Sequence, residues 1–260
     1  MKQHHKKAIE KLTESLKEDN RYLALIITGS VAKGEERDDS DIDFILVVSD
    51  EEYEKRKRRN RIIFFDTQYC DYPGGYVDGK IVNLQFLKVV AERGSEPARD
   101  AFRDAWIAFS KIPEIEEILN KIPVFQKSEK AEKIQSFLAQ FEIANWYIGE
   151  AERRKDKYLL MRAATDLILF GGRLILAHNE IIYPFHKLFM NALIRVPEKP
   201  EKLIELIEAL LSEPSSKNAQ AFYDAVKSFK KWRIRGIPNV QFMLDTELAW
   251  LERKPYIGDI

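Results

Sequence analysis

The first half of the chain alternates between helix-type and strand-type hydrophobic patterns. Ile9, Leu12 and Leu16 recur at spacings of three and four among charged residues, which predicts an amphipathic helix over residues 4–19. Short helices are also expected at residues 97–105 and 113–121. Apolar runs predict strands at residues 21–28, 42–48, 62–65 and 106–110, and over KIVNLQFL after the Asp78-Gly79 turn. We therefore expect an α+β domain, with a mixed sheet and flanking helices.

The second half of the chain shows only helical periodicity. Proline residues separate the helical segments. These segments are residues 128–154, 157–178, 183–195, 199–212 and 215–232. We therefore expect two domains, an α+β domain over residues 1–125 and an all-α helical bundle over residues 126–260.

The amino-acid composition of the chain limits the kinds of partner and the cellular compartment that we expect. The 42 Lys and Arg residues balance 42 Asp and Glu residues, which argues against nucleic acid as a partner, because such domains usually have a net basic face. The single cysteine, Cys70, excludes an intramolecular disulfide and indicates a reducing, cytoplasmic setting. No apolar run reaches the roughly 18 residues that a membrane span needs. We expect no membrane association.

The main chemical signal is the sequence TGSVAKGEERDDSDIDF at residues 28–44. An apolar run ends in Gly29-Ser30, and Asp41 and Asp43 follow after about ten residues. Side chains alternate along a strand, so both aspartates project to the same side. Two adjacent carboxylates repel each other unless a cation lies between them, which predicts a Mg²⁺ site. The Gly-Ser turn offers N–H groups and a hydroxyl to a phosphate chain.

Gly-Ser, a spacer and Asp-x-Asp between apolar residues together resemble the nucleotidyltransferase superfamily, which has the DNA polymerase β-like fold. The resemblance covers about residues 20–90, and the SDID form resembles the branches that modify small substrates and antibiotics. It implies a Mg²⁺-dependent enzyme that transfers a nucleoside monophosphate to a hydroxyl or amine of a small-molecule acceptor. ATP is the expected donor, although another nucleoside triphosphate fits, and an aminoglycoside is the model acceptor.

The same resemblance implies roles for individual residues of the motif. Asp41 and Asp43 would bridge two Mg²⁺ ions, and Gly29 would let the backbone approach the β- and γ-phosphates. Ser30 and Ser40 would donate hydroxyl hydrogen bonds to the phosphates. A turn residue that caps the following strand explains Ser40 equally well.

The helical domain contributes two further candidates through its resemblance to aminoglycoside adenylyltransferases. There, an Arg and a Lys at similar spacing reach the triphosphate, which assigns nucleotide binding to Arg173 and Lys187. A cation within an apolar helix needs a partner. A buried Arg173 paired with a local acid such as Asp166, and an exposed Lys187, explain the sequence equally well.

The family usually adds a third carboxylate from a neighbouring strand. On the strand expected at residues 81–86, alternation puts Asn83 and Gln85 at that position, and an amide cannot accept a proton as a carboxylate does. Three explanations stay open. Another acid, such as Asp71, Asp78 or one from the helical domain, supplies the base; or a substrate amine needs little help; or the chain is a catalytically weakened nucleotide-binding sensor or partner module.

Overall fold

The computed structural model describes residues 1–233 and 235–260, with only the backbone of Asp259. Within this part of the chain, Cα proximity separates two compact units, Met1–Val124 and Phe125–Ile260. We refer to them as the N-terminal unit and the helical unit. The predicted fold class is confirmed, because the first holds a mixed sheet with flanking helices and the second is helical.

The N-terminal unit alternates strands and helices in the order that the hydrophobic pattern predicts. Its helices are α1 (Gln3–Lys17), α2 (Gly29–Lys33), α3 (Asp50–Arg58), α4 (Leu84–Arg93), α5 (Glu96–Asp100) and α6 (Ile115–Lys121). Its strands are β1 (Tyr22–Ile27), β2 (Ile42–Val48), β3 (Ile63–Asp66), β4 (Val77–Asn83) and β5 (Trp106–Ser110).

The strands form one mixed sheet in the order β3-β4-β2-β1-β5. The neighbouring strands β2 and β4 run parallel, and β1 pairs antiparallel with both β2 and β5. Because β1 runs opposite to β2, the end of β1 and the beginnings of β2 and β4 lie at the same edge of the sheet. The Gly29-Ser30 turn and the acidic pair are attached to that edge.

Alternation along the strands gives the sheet two apolar faces. On one face, Phe44 and Leu46 of β2 and Val77 of β4 pack with Leu12 of α1. The opposite face includes Ile45, Val47 and Val82 and packs against α4 and α6. Burial on both sides fixes which side chains of β2 and β4 point to which face, because a slip of one residue would reverse them all.

Gly79 is a strand residue and not the turn residue that Asp78-Gly79 suggested. It pairs with Phe44 in the parallel ladder, and a Cβ at this position would lie 2.6 Å from Cδ2 of the Phe44 ring. A glycine inside a strand often marks such a close approach. The turn prediction at this position was wrong, because the glycine makes room for an aromatic ring.

The strand expected over KIVNLQFL was also wrong beyond its first half. β4 ends at Asn83, and α4 begins at Leu84. The side chain of Asn83 accepts a hydrogen bond from the backbone N–H of Phe86, which makes Asn83 the N-cap of α4. An asparagine N-cap satisfies one of the unpaired donors of the first helical turn, so the chain changes from strand to helix here.

The helical unit packs its helices around a single large apolar cluster. After a 3₁₀ turn at Lys127–Glu129, its helices are α7 (Lys130–Arg154), α8 (Lys157–His178), α9 (His186–Arg195), α10 (Leu203–Ser212), α11 (Ser216–Phe229) and α12 (Pro238–Asp245). Phe137, Phe141, Leu174 and Phe222 lie in the cluster and are fully buried. Among the helices described, none is both long enough and apolar enough to cross a bilayer.

Candidate functional site

Three carboxylates collect at the sheet edge where β2 and β4 begin. Asp43 of β2 pairs directly with Asp78 of β4 in the parallel ladder, and Asp41 comes just before β2. Paired residues of a parallel ladder project to the same face, and residues two apart along a strand do so too. The strand geometry therefore brings Asp41, Asp43 and Asp78 to one face.

The charges of these carboxylates affect the pKa of the Tyr76 phenol. Its pKa is raised above the usual value of a tyrosine, first by a hydrogen bond to Asp41 and then by the negative charges of Asp41, Asp78 and Asp43. Negative carboxylates disfavour the negatively charged phenolate form of Tyr76. The phenol therefore stays protonated and can donate to Asp41. All three acids therefore lie close enough to Tyr76 to contribute to the rise of its pKa.

Gly29 is required by the position of Asp43. Its φ angle of 68° lies in the left-handed region, and a Cβ there would collide with the Asp43 carboxylate and lie 2.7 Å from its Cβ. The backbone N–H of Thr28 also donates to the carbonyl of Asp43, at 2.9 Å. The Gly-Ser turn is therefore held directly against one member of the acidic pair.

Helix α2 begins at this turn with an uncapped end. Thr28, the N-cap residue, makes no side-chain cap hydrogen bond, and the first N–H groups of a helix have no partner within it. At the other end of α2, Lys33 lies 2.9 Å from Asp100, and each of these side chains is 7% exposed. This buried ion pair anchors the C-terminal end of α2, and the N–H groups at its Gly29-Ser30 end have the chemistry to bind an anion.

The loop before Asp41 is held through the backbone of Ser40. Its carbonyl accepts from Tyr72 Oη at 2.8 Å and lies 3.1 Å from His5 Nε2, and its hydroxyl accepts from the Arg37 N–H at 2.9 Å. Burial lowers the pKa of His5, so the ring is neutral at pH 7. The structure thus gives Ser40 a turn-closing role. Contact with phosphate stays a prediction.

The carboxylates have the donor chemistry for a hard divalent cation. Mg²⁺ prefers oxygen ligands and usually binds through one or two carboxylates together with substrate phosphates. In residues 1–233 and 235–260, no three His, Cys, Asp or Glu side chains lie close enough to form a ready-made metal site. The acids fit a cation that arrives with a phosphate chain, and Asp41 and Asp43 are the residues that could hold it.

Asp78, rather than Asn83, stands beside the acidic pair. Asn83 pairs with Val48 at the far end of β4, caps α4 and donates to Asp50 at 2.9 Å. This placement corrects the expectation that Asn83 occupies the third-carboxylate position. Gln85 lies inside α4 and not on a strand, so it leaves that position too. From the sequence, Asp78 was only one of several candidates for the missing base, because the sequence does not give the register of β4 against β2.

Arg173 lies in the interior of the helical unit. It is fully buried, its guanidinium donates to the carbonyls of Gly258 and Ile260, and its charge lies 4.3 and 4.4 Å from the ring centres of Phe137 and Tyr183. Asp166, the partner suggested for it, instead pairs with Arg162.

These contacts give Arg173 a structural role in the described state. Its assignment to nucleotide binding is therefore not supported by its surroundings. Lys187, the other cation assigned to the nucleotide, is exposed in the first turn of α9.

Comparison with known proteins identifies the N-terminal segment. Residues 9–73, which contain the Gly-Ser turn and the acidic pair, match the family model of the nucleotidyltransferase domain. Residues 9–73 are thus similar to a nucleotidyltransferase domain. This match supports nucleotidyl transfer as the general activity, and domains of this family generally use a nucleoside triphosphate and a divalent metal.

A structural match is more distant. A nucleotidyltransferase-like protein from Exiguobacterium sibiricum, known from a crystal structure, aligns over 96% of this chain and 81% of its own, with 9% sequence identity and a TM-score of 0.47. A similarity at this level carries no argument about the site. A search of curated proteins found no significant match to the chain.

The contact between Gly29 and Asp43 can be tested with a matched pair of glycines. Gly34 has a φ angle of 67°, close to that of Gly29, but a Cβ there would meet nothing within 4 Å. Gly34→Ala should cost about 1–2 kcal/mol of unfolding free energy from backbone strain. Gly29→Ala should cost about 1–3 kcal/mol more, because Asp43 must move.

Urea denaturation measures both changes, and calorimetry with Mg²⁺ and ATP should show at least about tenfold weaker binding for Gly29→Ala alone. Equal behaviour of the two variants in both measurements would show that the close contact has no importance.

The structural role of Arg173 has its own test. Arg173→Met keeps an apolar stem but leaves the buried carbonyl of Gly258 and the part-buried backbone oxygen of Ile260 without their donor, so we expect a loss of about 2–5 kcal/mol of unfolding free energy. Arg154, which is 63% exposed and pairs with Glu150, is the control, and Arg154→Met should change stability by less than about 0.5 kcal/mol. A stable Arg173→Met protein with weakened ATP binding would restore the nucleotide-binding assignment.

Proposed function

We propose that this protein is a Mg²⁺-dependent nucleotidyltransferase that transfers a nucleoside monophosphate, AMP from ATP in the first place, to a small-molecule acceptor. The acceptor presents a hydroxyl or an amine, and an aminoglycoside-like molecule is the model. The observation that supports this proposal best is the strand register, which pairs Asp78 with Asp43 on one face of the sheet. Asp41 precedes Asp43 by two residues and projects to the same face.

The proposed reaction assigns a distinct task to each part of this edge. The oxygen or nitrogen of the acceptor attacks the α-phosphorus, a new bond to phosphorus forms, and the bond to the pyrophosphate oxygen breaks. The N–H groups at Gly29 and Ser30 bind the departing phosphates. Bound at Asp41 and Asp43, Mg²⁺ would neutralise charge on the phosphates and orient them.

Asp78 is the proposed proton acceptor. Its side chain is exposed at the start of β4, where an acceptor molecule can approach it from solvent. It would take the proton that the attacking hydroxyl or amine loses, since a carboxylate can serve as a general base. Asp43, its neighbour in the ladder, lies against the Gly-Ser turn and is placed for the phosphate side of the reaction.

The acidic character of the edge favours an acceptor that carries positive charge. With Mg²⁺ bound at Asp41 and Asp43, the exposed carboxylate of Asp78 would remain as a source of negative potential on the acceptor side of the site. Such a potential attracts a cationic molecule and increases its rate of encounter. An amine-bearing acceptor of the aminoglycoside kind fits this field better than an acidic one.

The second candidate, a sensor with weakened catalysis, rested on the amides Asn83 and Gln85 at the third-carboxylate position. Asn83 lies at the opposite end of β4 and Gln85 lies in α4, so neither replaces a carboxylate of the site. The pairing of Asp78 with Asp43 offers a carboxylate for the role of proton acceptor, which supports turnover. The catalytic proposal is therefore the one that the geometry favours.

Two substitutions on β4 test the proposal. Asp78→Asn should reduce kcat by about 10²–10⁴-fold, because the side chain keeps its size but can no longer accept a proton. Affinity for Mg²⁺ and ATP should change far less. Asn83→Asp is the control. Asp caps a helix as well as Asn, and although the substitution replaces the hydrogen bond to Asp50 with a like-charge contact, that contact lies at the far end of β4, so turnover should stay within about threefold of the original. Pyrophosphate release with a panel of amine-bearing acceptors measures both.

Two results would contradict the proposal. A large gain of turnover in Asn83→Asp would mean that the native site lacks its base and that Asp78 does not supply it. Pyrophosphate release that persists in EDTA, or in Asp41→Asn and Asp43→Asn, would show that the acidic pair does not serve the reaction.

A further inference from the structure

The helical unit contains a cavity that the nucleotidyl-transfer proposal does not use. It has a volume of about 300 Å³ and lies among α7, α8 and α12, with the rings of Tyr147, Phe170 and Phe242 in its wall. This volume is at the lower end of the range for small-molecule sites, which are mostly apolar with a few polar groups. The cavity therefore has the size and lining of a site for a small ring.

A buried amide in the cavity wall lacks a partner. Gln140 of α7 is only 4% exposed, and its Nε2 has no hydrogen-bond partner in the described part of the chain. Buried side-chain polar groups nearly always have one, and leaving a donor unpaired is costly. The last torsion of a glutamine is broad and roughly two-fold, so the amide can offer either its N–H or its oxygen to the cavity. In the described rotamer Nε2 itself has almost no accessible surface, so rotation of the amide is what would present its N–H to a ligand in the cavity.

A second set of polar groups also lines the cavity. Arg162 donates to Asp166 at 2.6 Å and to Tyr256 Oη at 3.1 Å, and all three residues line the cavity. Burial raises the pKa of Asp166, against the opposing effect of Arg162. Because the acid and the base are paired with each other, the wall carries polarity without a large net charge. An uncharged ligand fits it better than an ion.

We propose that this cavity is a binding site for a small, uncharged, planar heterocycle of the purine or pyrimidine base class, held by the Gln140 amide and the aromatic wall. The edge of such a ring carries both donors and acceptors, so it can pair with whichever group of the glutamine amide is turned into the cavity. Its faces stack on aromatic side chains. The proposal does not depend on the proposed function, because the residues that carry it belong to the helical unit.

The experiment uses the full chain and free bases without phosphate. Adenine, hypoxanthine, cytosine and uracil are titrated in EDTA and followed by calorimetry and saturation-transfer NMR. At least one base should bind with a dissociation constant below about 1 mM, as expected for a ligand of this size. Gln140→Leu should weaken binding by about tenfold or more, because the paired amide is lost. The control Gln220→Leu, at an exposed glutamine of α11, should leave binding unchanged.

A stability measurement separates a binding role from a packing role. If the amide serves a ligand, Gln140→Leu removes an unpaired buried group and should raise the Tm of the unliganded protein by about 2–4 °C while it weakens binding by about tenfold or more. Ala144→Leu, which adds volume inside the cavity and leaves Gln140 in place, should also prevent binding. Its control is Ala221→Leu, at an exposed position of α11.

Three results would overturn the proposal. The first is that none of the four bases binds below about 1 mM. The second is that binding survives in both Gln140→Leu and Ala144→Leu. The third is that Asp43→Asn abolishes binding of the free bases, which would place them at the carboxylate edge of the sheet and not in the helical unit. Unchanged binding in Asp43→Asn supports the separate site.

Discussion

The parallel pairing of β2 with β4 is the constraint on which the candidate site depends. It sets Asp43 beside Asp78, and a slip of one residue would turn Asp78 to the opposite face. Two features oppose such a slip. Alternate residues of both strands are buried on opposite faces of the sheet, and the ring of Phe44 occupies the space above Gly79 that any side chain would fill. Packing in the core thus fixes the geometry of a polar site at its edge.

The parts of this site that could be predicted from sequence are those within one short segment. The Gly-Ser turn and the acidic pair lie within residues 28–44, where strand alternation and turn chemistry determine the geometry locally. The contact of Gly29 with Asp43 follows from the antiparallel return of the chain from β1 to β2. Asp78 could not be chosen in the same way, because its place depends on a pairing between distant strands.

Prediction failed where one residue type serves two physical purposes. Asp78-Gly79 has the composition of a turn, but this glycine provides space for a ring in the middle of a strand. Asn83 falls on an alternating pattern, yet its side chain caps a helix and ends the strand. In the helical unit, too, local features could be predicted and contacts between distant residues could not. Its periodicity located the long helices, whereas the carbonyl groups that Arg173 binds are 85 and 87 positions away in the sequence.

Two buried polar side chains of the helical unit, Arg173 and Gln140, differ in how well their polar groups are paired. The guanidinium of Arg173 is fully buried with carbonyl acceptors and two aromatic rings around it, an arrangement that offsets the cost of removing a charge from water. Nε2 of Gln140 is buried without such compensation, which costs about 1–3 kcal/mol. A leucine would fill similar space without that cost. Folding alone therefore explains Arg173 but not Gln140, and a partner that enters the cavity supplies the missing interaction.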